Sequence, residues 1–104
     1  MLTTNQAIIY SLIPEGRDKA ISRRDLIDVS GLSDSEIRAT IKELRLVGKI
    51  ITSHSAIKGY YRPETREQAM EFVREQRHRG LACLAVATAS EKAINEAEQQ
   101  QLPI

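Results

Sequence analysis

VSGLSDSEIRAT, residues 29–40, closes one helix and opens another with no loop between them. Gly31 suits the left-handed residue that ends a helix, and Leu32 is placed to plug the angle that follows. Ser33-Asp34-Ser35-Glu36 then reads as a capping box, with its acidic residues suited to the positive end of the helix dipole. The helix so opened is expected over residues 34–47. Ile37, Ile41 and Leu44 recur at i, i+4 and i+7, giving one apolar stripe, and Gly48 stops it.

Working outward, Ser22-Arg23-Arg24-Asp25 is a variant capping box for a second helix over about residues 23–30, with Leu26 and Val29 facing inward. Ala20-Ile21 reads as a single strand rung. Before it, Thr3 or Thr4 caps a first helix carrying Ala7, Ile8, Leu12 and the nearby Ile9 and Ile13, which Pro14 and Gly16 end. After Gly48 come two β-prone runs, Ile50–Ser53 and Gly59–Arg62, around a short polar corner. They read as a hairpin over residues 50–62, closed by Pro63.

The order helix, short strand, helix, tight corner, helix, hairpin predicts a mainly α fold with a small β-hairpin, a winged helix-turn-helix over residues 1–62. Its third helix is anchored by the 37/41/44 stripe, so the opposite side is available to a DNA major groove. At 100° per residue that side carries Ser35, Arg38, Ala39 and Lys42, with Arg45 flanking it. Ser35 and Arg38 suit base edges, Ala39 permits close approach, and Lys42 and Arg45 suit phosphates. Arg23 and Arg24 in the second helix's first turn, and Lys58 near the hairpin tip, complete the candidate double-stranded DNA-binding set. His54 and Arg62 lie alongside on the hairpin.

A second reading stays open. Asp34 and Glu36 would repel phosphate near the helix start, and Leu46 points away from the apolar stripe. Winged helices also serve as protein-interaction modules, so an adaptor in a replication or regulatory assembly is the alternative.

The run SRRDLIDVSGLSDSEIRATIKELRLVGKI, followed by a hairpin ending KGYYRPETREQ, resembles the small winged helix-turn-helix proteins encoded by bacteriophages and prophages. The long helix after the hairpin and the closing LPI are similar too. The resemblance implies a DNA-binding protein of phage regulation, transcriptional or replicative, in a bacterial cytoplasm.

Charge is unevenly spread along the 104 residues, whose net charge is only +1. Residues 1–62 carry ten Lys and Arg against seven Asp and Glu, or +3, and residues 63–104 carry five against seven, or −2. The first part is therefore the one expected to meet an anionic partner. No apolar run approaches the roughly 20 residues that span a bilayer. The one cysteine, Cys83, excludes an internal disulfide and sits between apolar neighbours, which predicts a buried, inert thiol.

Residues 63–104 form a helical extension, with only Gly80 to interrupt an Ala-rich run from Thr65 to about Gln99. One continuous helix there would be roughly 50 Å long, too long for the first domain to cover. A homodimer joined through this region is the expectation, and the alternative is a break at Gly80 with the last piece folded back. No catalytic set, cofactor motif or metal site is expected, since Glu75 and His78 form only half of a di-metal motif.

Overall fold

The computed structural model describes residues 1–103. About 65% of the chain is helical, with a small three-stranded antiparallel sheet and a long C-terminal helix. It divides into two compact units, Met1–Ala69 and a second from Met70 onward.

The first unit begins with α1, Thr4–Leu12. Thr3 caps it in a closed capping box, its hydroxyl accepting the Gln6 N–H while the Gln6 side chain accepts the Thr3 N–H. The helix ends at Leu12 as Pro14 requires, because Ile13, the residue before the proline, is already extended. Of the apolar residues expected along it, Ile9 and Ile13 are fully buried and Leu12 partly, while Ala7 and Ile8 are exposed. A 3-10 turn, Arg17–Lys19, leads into β1, Ile21–Ser22, the expected rung displaced by one residue.

Next come α2, Arg23–Ser30, and α3, Asp34–Leu46. Ser22 caps α2 through the Asp25 N–H, and Gly31 ends it at φ 74°, the left-handed conformation that a Cβ would disfavour. Ser33 caps α3 by accepting the Glu36 N–H. The Glu36 carboxylate in turn accepts the Ser33 hydroxyl, so the reciprocal bond runs to the side chain. At the other end, Gly48 N–H reaches the Arg45 carbonyl and Lys49 N–H the Leu44 carbonyl, the paired bonds of a Schellman stop.

β2, Thr52–His54, and β3, Gly59–Tyr61, form the expected hairpin. The sheet order is β1-β3-β2, because Ile21 pairs with Tyr60 and Ser22 with Gly59. Gly59 is required there: a Cβ would overlap the Ile21 carbonyl oxygen. The whole hairpin is thus welded to the strand that precedes α2.

The core is Ile9, Ile13, Leu26, Ile37, Ile41, Leu44, Ile51 and Tyr60, with Leu32 packed against its edge as the corner predicted. Val29 does not face inward as expected; it is exposed, and Leu26 with partly buried Ile27 covers the inner side of α2. An eight-residue helix offers little more than two turns, and only one side of it meets α1 and α3.

α4, Arg66–Gln99, is one uninterrupted helix of 34 residues that continues through Gly80. The alternative of a break there is therefore set aside. A Cβ added at Gly80 would stand in open space, with nothing within 4 Å. The Thr65 hydroxyl accepts the Gln68 N–H at its start. At its far end Gln101 N–H bonds to Glu98 and Leu102 N–H to Ala97, with Gln101 left-handed at φ 58°. Among the described residues no helix is long and apolar enough to cross a membrane.

Candidate nucleic-acid interface

The α3 stripe fixes which way the rest of that helix points. Ile37, Ile41 and Leu44 are buried together with Thr40, whose hydroxyl bonds back to the Glu36 carbonyl. Ser35, Arg38, Ala39 and Lys42 are all exposed, on the side opposite the core.

Asp34 organises the N-terminal end of that surface. Its carboxylate takes the Arg23 guanidinium from α2 at 2.7 Å and the Arg38 guanidinium from the next turn of α3 at 3.1 Å. Both ion pairs are partly exposed, where such pairs contribute about 0–1 kcal/mol each. Their main effect is therefore positional: two guanidiniums are held together across the helix corner on a single negative charge. From the sequence, Asp34 suits the helix dipole and repels phosphate, and neither role includes an ion pair. Its i, i+4 relation to Arg38 was legible, but its partnership with Arg23 depends on the angle between the helices.

The hairpin tip closes on the same region. Lys58 is left-handed at φ 50°, an uncommon conformation for a residue with a side chain. Its carbonyl accepts the Arg23 N–H at 3.0 Å, while its own side chain stays exposed. A shallow groove is lined by Arg23, Arg24, Asp34, Ile57 and Lys58, together with Ser22 and Ile27. A second, more polar depression joins Arg23 and Lys58 to Ser53, His54 and Ser55. Arg23, Arg24, Lys58 and, through Asp34, Arg38 are thus brought into one neighbourhood.

Arg45 serves differently. Its Nε donates to the Ile51 carbonyl at 2.9 Å and its Nη2 to the Ser53 hydroxyl at 3.2 Å, which makes it a strut between α3 and β2. Arg62 also works internally: it donates to the Ile13 carbonyl and lies over the Tyr10 ring, as Lys49 does. These contacts fasten the sheet to α1 and fix the hairpin against α3.

Three apolar side chains remain exposed near the end of α3: Leu46, Val47 and Ile50, the first at 78%. Cys83, expected to be buried, is exposed on α4. The apolar neighbours that suggested burial lie along a helix with no buried residue of its own.

No protein-family model, curated protein or solved structure matches this chain.

Proposed function

We propose that residues 1–62 form a winged helix-turn-helix that binds double-stranded DNA, as a phage-type regulator of transcription or replication. α3 enters the major groove, the hairpin lies on the backbone, and no catalytic step is involved. The observation that carries this reading is the convergence of Arg23, Arg24, Arg38 and Lys58 at the corner, continued along α3 by Ser35, Ala39 and Lys42. A duplex presents phosphates on both sides of a groove, and a cationic corner beside a helix face with a small central residue matches that arrangement. In this reading Asp34 presents Arg23 and Arg38 in fixed orientations, and Arg45 sets the hairpin angle.

Selection from a random duplex library, repeated at two salt concentrations, tests the proposal. About four to six phosphate contacts give a slope of log K against log salt near −4 to −5. Replacing Arg38 and Lys42 together by Ala lowers affinity roughly tenfold or more, with helicity unchanged in the far-ultraviolet spectrum. A double variant that binds as well as the parent would show that α3 is not the reading helix.

The exposed Leu46, Val47 and Ile50 favour a second reading, an adaptor that docks a protein partner through the end of α3. Absence of binding to any duplex at low salt selects that reading over the first.

A further inference from the structure

From Gly80 to Ser90 the helix carries no charge, and eight of those eleven residues are Leu, Val, Ala or Cys. Every side chain from Arg74 through Glu96 is exposed, including Leu84 at 65% and Val86 at 66%. A helical segment that is apolar all round is ordinarily covered by another surface. At eleven residues it is about half the length that crosses a bilayer. The flanks differ in sign. Residues 74–79 hold three Arg and one Glu, whereas residues 91–98 hold three Glu and one Lys.

We infer that this segment pairs with the same segment of a second copy, antiparallel, about a centre at Ala85. Two properties fix direction and register together. A parallel pair sets each cationic flank beside its own copy, whereas an antiparallel pair sets cationic flank against anionic flank. Centring on Ala85 also superposes the two uncharged segments over their full length.

At helical spacing the facing positions are Val73, Gln76, Gly80, Cys83, Ala87, Ser90, Ile94 and Ala97, a 3,4 alternation. In this register Cys83 faces Ala87 and Gly80 faces Ser90. A shallow apolar depression lined by Ala82, Cys83, Val86 and Ala87 already lies on that face. Small residues at the middle of the seam let the two backbones approach closely, while Leu84 and Val86 flank it and meet their own copies across the twofold axis. On the Leu84 side, Arg77 comes beside Glu91 of the partner subunit, twice by symmetry. Leu81 lies away from the seam and stays exposed. Cys83, exposed in the single chain, becomes covered.

The proposal stands independently of DNA binding, and its test uses the full chain. Sedimentation equilibrium at tens of micromolar shows a dimer. Arg77→Glu and Glu91→Arg each raise the dimer dissociation constant about tenfold, and the double reversal restores it to within about threefold. Cysteine crosslinking reads the direction. In the antiparallel register Cys83 is offset from its own counterpart by about 6 Å along the axis. Mild oxidation therefore leaves the parent largely uncrosslinked, whereas Ala87→Cys yields a covalent dimer. A strict monomer, rapid Cys83–Cys83 crosslinking of the parent, or two reversals that fail to compensate would each overturn the inference.

Discussion

The α3 stripe and the Gly80–Ser90 segment of α4 are built from similar apolar side chains and meet opposite environments. Ile37, Ile41 and Leu44 are at most 2% exposed, whereas Leu84 and Val86 on α4 are largely exposed. The difference lies in arrangement. The α3 residues fall on one face, with Arg38, Lys42 and Glu43 on the others, so the chain's own neighbouring helices can cover them. The α4 segment carries apolar side chains on every face, and none of them is buried. A narrow stripe is satisfied within a fold; a band asks for another surface.

The largest expected effect separates these two environments. Leu44→Ala removes a fully buried side chain and lowers the stability of the first unit by about 2–5 kcal/mol. Leu84→Ala, at a solvent-facing site, leaves that stability within about 0.5 kcal/mol. Urea denaturation followed by tyrosine fluorescence resolves the two, because all three tyrosines lie in the first unit and the chain has no tryptophan. Equal losses from both substitutions would mean that the α4 segment is part of the first unit's core, and the comparison would collapse.

A smaller effect concerns the corner that positions α3. Ser33→Ala deletes the oxygen that accepts the Glu36 N–H and costs about 1 kcal/mol. It also frees the Glu36 carboxylate from the Ser33 hydroxyl. Thermal unfolding of the variant, set beside Leu44→Ala, ranks capping against packing as determinants of the same helix. A loss as large as that of Leu44→Ala would mean that the corner holds α3 in place as strongly as the stripe does.

Most of the first unit was legible because its signals are local. Gly31, the Ser33 cap and the 37/41/44 spacing specify two helices and the side of one that faces the core, and each is read within a few residues. Val29 shows the limit of that method. It sits at a sound helical interval from Leu26, but which side of a two-turn helix is covered depends on where α1 and α3 lie. The same holds at the candidate interface. Exposure of Ser35, Arg38, Ala39 and Lys42 followed from periodicity, whereas Asp34 as a shared partner and Arg45 as a strut follow from contacts across the corner and into β2. Cys83 failed for another reason: apolar neighbours in sequence predict burial only where something exists to bury them.

The finest test of the comparison is Gly80→Ala, because two effects of opposite sign act at one residue. Gly80 lies inside α4 with open space where a Cβ would stand. In an isolated helix the substitution is therefore favourable by roughly 0.5–1 kcal/mol, since glycine has more backbone freedom to lose. Far-ultraviolet ellipticity of dilute, monomeric protein should rise accordingly. At the proposed seam the same methyl group faces Ser90 of the partner subunit and holds the backbones apart, so the dimer dissociation constant should rise several-fold even as the helix itself gains. If the substitution strengthens both helix and dimer, Gly80 lies outside the seam, and the face centred on Cys83 and Ala87 is the wrong one. A stronger helix with a weaker dimer is the outcome that only a closely packed partner at Gly80 produces.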